Sequence, residues 1–230
     1  MKILLINASP HGEASHGYRF AGEIIGVLRE YTAPNAPDAP AASAIKVIER
    51  DLAATPLPPV ARDYARAVTS RTPDKTQFDV SEQLIDEIET TDALIINTPM
   101  HNFTVPAALK LWIDYTLRIH RTFASTPEGK VGLMRDRPTL VIVGSGGVHS
   151  GERARQPDFL TPYLRYALGS IGIHSVQFLL LQGLVMGEAA VAEALDAARA
   201  QLTGDAVFAS LAAQAARGAS MAAVMAARTA

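Results

Sequence analysis

Apolar residues in this chain are grouped into five short runs, separated by longer stretches of mixed character. The runs at positions 3–6 and 93–96 and the run after Thr139, at 140–143, are unbroken, which is typical of strands buried on both faces of a parallel sheet. The run at 45–49 is closer to an apolar–polar alternation, as in an edge strand, and 176–181 forms the fifth run. The pattern predicts an α/β fold with a doubly wound, five-stranded parallel sheet in the order 2-1-3-4-5.

The stretches between these runs carry apolar residues at helical spacing, which predicts helices on both faces of the sheet. Two connections, 51–77 and 119–135, are too long to be plain turns, and the first is interpreted as a lid over a ligand or as mobile filler. We predict one domain over residues 1–204 and an alanine-rich C-terminal extension over 205–230. That extension forms either an extra helix on a partner or a frayed tail.

Composition narrows the possible functions of the 230-residue chain. With 48% hydrophobic and 19% charged residues it is globular, and a net charge of -2 gives no general attraction to nucleic acid or to anionic membranes. The absence of cysteine excludes disulfides and thiol catalysis. The N-terminus enters a strand directly, and no apolar run is long enough to span a bilayer. A cytoplasmic protein is therefore expected.

The loop after the first strand contains hydroxyl groups and leads into a helix, whose N-terminus favours an anion. Gly12 and Gly17 have the spacing of a nucleotide-triphosphate loop, but Tyr18 and Arg19 follow where lysine and serine or threonine are required. The loop therefore favours a terminal monophosphate held by neutral donors. The alternative is that Ser15 only caps the helix.

The loop after the third strand combines a rigid turn, a soft apolar surface, polar side chains and an aromatic ring. These are Pro99, Met100, His101, Asn102 and Phe103. Ligands of open α/β sheets bind at the carboxyl ends of strands, and this mixture suits a flat, apolar heterocycle with polar edges. An ordinary connecting loop is the alternative.

A glycine-rich loop follows the fourth strand, with Gly144, Ser145, Gly146 and Gly147 in succession. Glycines at this position let a flat ligand approach the backbone, where N–H groups can donate to it, although a flexible turn has the same composition. His149 follows closely. Because all three loops leave the same edge of the predicted sheet, we expect them to form one slot.

Several motifs resemble those of the FMN-dependent NADH-azoreductases, a flavodoxin-like family that also reduces quinones. The motifs that carry the resemblance are Pro99-Met100-His101-Asn102-Phe103, Gly146-Gly147-Val148-His149 and Leu160-Thr161-Pro162-Tyr163-Leu164. The resemblance implies FMN as cofactor, NADH or NADPH as co-substrate, and hydride transfer with ping-pong kinetics to a quinone or azo compound. It also implies a homodimer packed through residues 106–118, which fits the seemingly exposed Leu111 and Tyr115.

The resemblance also assigns residues to the cofactor and the substrate. Hydride transfer needs no protein nucleophile, so no catalytic side chain is named, and His11, His120 and His174 have no partner at ligand spacing, so no metal is expected. The resemblance assigns Ser9, Ser15, His16 and Gly17 to the phosphate, and Pro99, Met100, His101, Asn102, Phe103, Gly144, Ser145, Gly146 and Gly147 to the ring. Phe123 and His149 are expected on the substrate side. His101 replaces the family's usual tyrosine, and Gly17 stands where a hydroxyl is common.

Two other classes of protein remain possible from the sequence. A flavodoxin-type electron carrier, or an NAD(P)H:FMN reductase, would use the same cofactor site. Carriers tend to be shorter and strongly acidic, whereas this chain is nearly neutral. A cofactor-free α/β scaffold is the third possibility, and a purified protein without a flavin absorption band would favour it.

Overall fold

The computed structural model describes residues 1–32 and 45–229, with side chains described as far as residue 217. Its seven strands are β1 (Lys2–Asn7), β2 (Lys46–Asp51), β3 (Ala93–Pro99), β4 (Phe123–Thr126), β5 (Gly129–Gly132), β6 (Thr139–Gly144) and β7 (Val176–Leu181). Five of them form a parallel sheet in the order β2-β1-β3-β6-β7. This confirms the predicted fold class and strand order, with β6 and β7 as the fourth and fifth predicted strands.

In the described part of the chain, seven α-helices cover the two faces of this sheet. They are α1 (His16–Glu30), α2 (Arg62–Thr69), α3 (Asp79–Glu89), α4 (Ala107–Thr116), α5 (Thr161–Ser170), α6 (Glu188–Thr203) and α7 (Ala206–Thr229). One face carries α1, α6 and α7, and the other carries α2 to α5. Within the described part of the chain, no helix is both long enough and apolar enough to cross a membrane.

Helix α7 lies in the segment predicted as an extension. Its Leu211, Ala212 and Ala215 are buried in the same apolar cluster as α1 and α6. These three positions have helical spacing, so one stripe of α7 faces the domain. This part of the segment therefore packs on the chain's own core. The boundary between domain and extension at residue 204 stays a prediction.

The long connection after β2 covers part of α4. Tyr64 of α2 packs edge-on against Tyr115 with ring centroids 4.9 Å apart, and the Tyr115 hydroxyl donates to the carbonyl of Pro58 over 3.0 Å. Tyr115 is consequently only 4% exposed. The expectation of an exposed Tyr115 was wrong, because the helical pattern of α4 does not show that a distant segment folds over it. Leu111 is partly exposed, as expected.

The second long connection contains a β-hairpin formed by β4 and β5, which the sequence pattern did not reveal. An ion cluster ties the start of this connection to α3. Arg118 and Arg121 both donate to the Glu82 carboxylate. Burial alone would raise the pKa of Glu82, but the hydrogen bonds from the two arginines lower it. Glu82 therefore stays ionised and anchors the connection.

Candidate functional site

Three neighbouring strands end at one edge of the sheet and begin the three loops that the sequence singled out. In the register, Asn7 of β1 lies beside Asn97 of β3, and Pro99 lies beside Gly144 of β6. The next residue along, Met100, donates its N–H to the carbonyl of Gly144 over 2.8 Å. The loops following β1, β3 and β6 therefore leave the sheet side by side.

Ser15 is the N-cap of α1, as the alternative interpretation of the first loop proposed. Its Oγ accepts hydrogen bonds from the Tyr18 N–H at 3.4 Å and from Asn97 Nδ2 at 3.2 Å. Because both contacts use oxygen lone pairs, the hydroxyl hydrogen is still available to a ligand. The buried Ser9 hydroxyl is similar, since it accepts from the His11 N–H over 3.3 Å. Capping and anion binding are compatible here.

The first two amides of α1 add to these hydroxyl donors. The N–H groups of His16 and Gly17 have no acceptor among the residues that the structure describes. Such first-turn donors carry the positive end of the helix dipole, so they favour an anion. The neighbouring Tyr18 hydroxyl donates to Glu49, and burial together with this carboxylate raises the pKa of Tyr18 to about 12. Tyr18 therefore adds no charge near the loop at neutral pH.

A buried asparagine pair, which sequence reasoning missed, holds the first loop against the sheet. Asn97 Nδ2 donates to Asn7 Oδ1 over 2.8 Å, and the same oxygen accepts from the Ser9 N–H. Asn97 also contacts Gly17, where a β-carbon would clash with Asn97 Oδ1 and lie 3.2 Å from Ile142 Cγ2. Gly17 is thus required for the close approach of α1. The sequence does contain a signal, because an asparagine directly follows the apolar run in β1 and in β3.

The loop after β3, which contains Pro99 to Phe103 and is called the ring loop below, has a strained two-residue turn. His101 and Thr104 exchange backbone hydrogen bonds, each 3.0 Å long, around Asn102 and Phe103. The φ angles of these two residues are +48° and +73°, in the left-handed region that non-glycine residues rarely adopt. Over residues 1–32 and 45–229, no acceptor engages the N–H of either residue. Strain of this kind clusters at ligand sites, and this turn combines two unengaged amides with Phe103, which is 46% exposed.

An open groove of about 510 Å³ borders this turn. His101 and Asn102 line it together with Lys110 and Tyr163. Burial raises the pKa of the Tyr163 hydroxyl, which therefore stays protonated at neutral pH. Tyr163 belongs to one of the motifs that carry the resemblance, so two of those motifs meet at this groove.

The glycine loop after β6 is fixed at its start. The Ser145 N–H donates to the carbonyl of Leu181 over 2.8 Å, and its hydroxyl donates to the carbonyl of Gly147 over 2.8 Å. The N–H groups of Gly146 and Gly147 meet no acceptor in the described part of the chain. A β-carbon on Gly146 would lie 3.1 Å from Val185 Cγ1, so the backbone is tightly flanked on that side.

Gln156 lies in the gap between the ring loop and the glycine loop, and sequence reasoning missed it. Its Nε2 is 3.7 Å from Met100 Sδ, and its Oε1 would be 2.9 Å from a β-carbon on Gly147. The local sequence pattern does not predict a role for Gln156, because this residue follows an irregular stretch without periodicity. A ring bound between the two loops would meet the Gln156 amide.

The two residues assigned to the substrate lie apart. His149 follows the glycine loop, and its backbone N–H donates to Gln182 Oε1 over 2.7 Å. Phe123 lines a different groove of about 1170 Å³, in which Lys130 Nζ lies 4.1 Å from the centre of the phenylalanine ring. None of the described residues lining that groove belongs to the three loops. Within one subunit the structure does not bring Phe123 to the rim, and its assignment stays a prediction.

Comparison with known proteins places the chain in a family. A family model described as flavodoxin-like fold matches residues 1–204. An FMN-dependent NADH:quinone oxidoreductase of Pseudomonas fluorescens is 58% identical over 202 residues, which cover 87% of this chain and 93% of that protein. Another, from Burkholderia lata, is 50% identical over 208 residues, covering 90% of this chain and 95% of that protein. The chain belongs to this family of flavodoxin-like oxidoreductases.

Solved structures agree on the fold. An FMN-dependent NADH-azoreductase from Bacillus anthracis, in complex with FMN, superimposes with a TM-score of 0.69 at 22% identity. The match covers 95% of this chain and 100% of that one. A second azoreductase structure from the same species has a TM-score of 0.70 at 22% identity, covering 94% of this chain and 99% of that one. This confirms the flavodoxin-like fold that the sequence predicted.

The three loops that follow β1, β3 and β6 form the rim of the sheet. Their residues fit the FMN group that the family implies. Unengaged amides occur in all three loops, and the first loop adds two hydroxyls that retain a hydrogen to donate. Neutral donors at a helix N-terminus suit a monophosphate, and the amides of the other loops suit the polar edge of a flavin. Among the described residues, no group of three or more His, Asp or Glu side chains could hold a metal ion.

Proposed function

We propose that this protein is an FMN-dependent NADH:quinone oxidoreductase, which transfers two electrons from NADH through FMN to a quinone. The observation that carries the proposal is the set of unengaged donors in three adjoining loops at one sheet edge. The two bacterial relatives with this name cover 93% and 95% of their own lengths in the match. The likeness therefore extends over nearly the whole length of those proteins.

In this proposal the first loop binds the phosphate and the other two bind the ring. The hydroxyls of Ser9 and Ser15 and the amides of His16 and Gly17 are the phosphate donors. The segment from Pro99 to Phe103 lies against the ring, and the backbone amides of Gly146 and Gly147 donate to its polar edge. Gly144 and Ser145 hold that backbone in place through their bonds to Met100 and Leu181.

The chain's own residues bind, orient and shield the reactants. When bound, FMN supplies the hydride chemistry, accepting two electrons from NADH and passing them to the acceptor. The overall reaction consumes NADH, a proton and a quinone and yields NAD⁺ and a hydroquinone. No side chain has to act as a nucleophile, so we assign no catalytic residue. The ping-pong kinetics that the resemblance implies would require NADH and the quinone to bind alternately.

Steady-state kinetics test this function. Purified protein with FMN should show a flavin absorption band and oxidise NADH when a small quinone is present. Double-reciprocal plots against NADH at several quinone concentrations should be parallel, as ping-pong kinetics require. Slow NADH oxidation that a quinone does not accelerate would instead support an electron carrier or a flavin reductase. Absence of any bound flavin would reject the whole proposal.

Other expectations from the sequence and from the resemblance stay predictions. These are the use of NADPH, the reduction of azo compounds and a cytoplasmic location. Homodimerisation is also part of the proposal, with Leu111 on the partly exposed face of α4. Light scattering should give twice the mass of one chain, 24.5 kDa. A monomer that still reduces quinones would contradict a site built from two subunits.

Removal of the Ser15 hydroxyl tests the phosphate assignment. We expect Ser15→Ala to weaken FMN binding at least roughly tenfold, because a hydrogen bond to a charged group contributes about 1.5–3 kcal/mol. Riboflavin, which lacks the phosphate, should bind wild type and variant equally well. Both affinities are measured by fluorescence titration, with Ser210→Ala on α7 as an exposed control. An equal loss for both ligands would instead indicate that the substitution only damages the cap of α1.

A further inference from the structure

The ring of His149 is the most completely buried titratable group near the rim. Its side chain is 0% exposed, and neither ring nitrogen makes a hydrogen bond within the described residues. An unpaired polar atom in the interior costs about 1–3 kcal/mol, so two in one ring require an explanation. One nitrogen has a candidate partner in the chain, and the other has none.

The candidate partner is Asp158, which lies three residues before the first residue of α5. Asp158 Oδ2 is 3.4 Å from His149 Nδ1, which is within ion-pair distance. The carboxylate is held from the other side. Its Oδ1 accepts from the N–H groups of Leu160 and Thr161, each over 2.9 Å, and Oδ2 accepts from the Thr161 hydroxyl over 2.8 Å. Asp158 is thus fixed by three donors while one oxygen faces the histidine ring.

The backbone of His149 is held as well. Gln182 Oε1 accepts from the N–H groups of His149 and Ser150, over 2.7 and 3.0 Å, and Gln182 Nε2 donates to the Ser150 hydroxyl over 2.8 Å. With both the backbone and the carboxylate fixed, only a small rotation of the ring is needed to form a bond between Nδ1 and Asp158. Such a bond would leave Nε2 as the one nitrogen of the His149 ring without a hydrogen-bond partner among the described residues.

We infer that Asp158 is a positioning residue, which holds a hydrogen on His149 Nδ1 and so reserves Nε2 for the ligand bound at the glycine loop. An ionised carboxylate only accepts hydrogen bonds, so the facing nitrogen must carry the hydrogen. His149 lies two residues after Gly147, whose amide is assigned to the polar edge of FMN. The inference rests on the proposed function for its ligand, which is the pyrimidine edge of the flavin.

Replacement of Asp158 by asparagine tests the inference through the histidine itself. In Asp158→Asn, Oδ1 still accepts the two backbone bonds at the start of α5, but an amide N–H replaces the oxygen that faces His149. The amide requires a lone pair on Nδ1, so the hydrogen moves to Nε2. NMR of FMN-free protein labelled with ¹⁵N-histidine shows which ring nitrogen carries the hydrogen. The His149→Phe variant identifies the His149 signal, because that signal is missing from its spectrum. We expect Nδ1 to carry a hydrogen in the wild type and to lack one in the variant.

FMN affinity gives the second measurement. Asp158→Asn and His149→Phe should each raise the dissociation constant for FMN roughly tenfold, which is the range for one lost hydrogen bond. The double variant should bind no more weakly than either single one, because the two residues act as one unit. Thr161→Val is the matched control, since it removes the other side-chain partner of Oδ2 but leaves the histidine pair. Its FMN affinity should stay within twofold of the wild type.

Two results would overturn the inference. The first is a wild-type His149 without a hydrogen on Nδ1, which is measured without altering Asp158. The second is a double variant whose loss of binding free energy for FMN equals the sum of the losses in the two single variants, as for independent sites. A wild type that binds no FMN would reject the proposed function instead. That failure is distinguishable, because the protonated nitrogen is identified in protein without FMN.

Discussion

Gly17→Ala should destabilise the protein and nearly abolish FMN binding. A β-carbon at this position would clash with Asn97 Oδ1 and crowd Ile142 Cγ2. Asn97 cannot swing away without loss, because its Nδ2 is bonded to Asn7 and Ser15 in the interior. Overpacking of this kind costs about 1–3 kcal/mol of the free energy of unfolding.

The effect on FMN should exceed the effect on stability. A displaced Asn97 shifts Ser15 and the first turn of α1, so several phosphate donors lose their alignment together. Loss of two hydrogen bonds to a charged group corresponds to about 3 kcal/mol, or roughly a 100-fold rise in the dissociation constant. Fluorescence titration measures the affinity, and urea unfolding of FMN-free protein measures the stability.

Gly22 offers a matched control in the same helix. It is exposed, and a β-carbon there would meet nothing within 4 Å. Gly22→Ala should therefore raise the free energy of unfolding by about 0.5–1 kcal/mol, because alanine favours the helix, and should leave FMN affinity unchanged. Equal FMN affinity in both variants would show that the contact between α1 and Asn97 does not support the phosphate site.

The second large effect is expected at Arg137, a buried arginine that stabilises the chain between α3 and β3. Its guanidinium donates to the carbonyls of Ile88, Thr91 and Arg135. Only 2% of Arg137 is exposed, and burial lowers the pKa of its guanidinium. Ile88 lies in the last turn of α3, and its carbonyl also accepts from the Thr91 N–H and hydroxyl. The carbonyl of the buried Thr91, two residues past the helix, has Arg137 as its one donor among the described residues.

Arg137→Met should lower the free energy of unfolding by about 1–3 kcal/mol, because it leaves the buried Thr91 carbonyl without a donor. Urea unfolding in the absence of FMN gives the value. Arg135→Met is the control, since that side chain is 69% exposed and its contact with Asp92 spans 3.8 Å. The control should change stability by less than about 0.5 kcal/mol. Similar losses in both variants would contradict a specific role for the buried guanidinium.

Local sequence patterns were enough to predict much of the fold. Unbroken apolar runs identified β1, β3 and β6, because a strand covered on both faces requires apolar residues at every position. The weaker alternation placed β2 at an edge, where the structure has it. The strand order then placed three loops at one rim. The loop compositions and the family resemblance indicated a flavin, and the comparisons support that cofactor.

Contacts between distant segments were beyond these patterns. The hairpin of β4 and β5 has short, partly exposed strands, so it lacks a clear apolar period. Tyr115 looked exposed because the segment that covers it lies more than fifty residues away. Gln156 likewise meets Met100 from across the chain, and nothing in its own neighbourhood predicts that contact.

The sequence by itself determined the layered α/β architecture, the order of the strands and the three loops, since each depends on local periodicity or on composition. Only the tertiary structure decided which side chains support those loops. Asn97 reaches Ser15 across 82 positions, and Asp158 faces a histidine ring whose other nitrogen is unpaired. Such pairs depend on the angles at which helices and strands pack, and a single sequence specifies those angles only through the packing of the whole core.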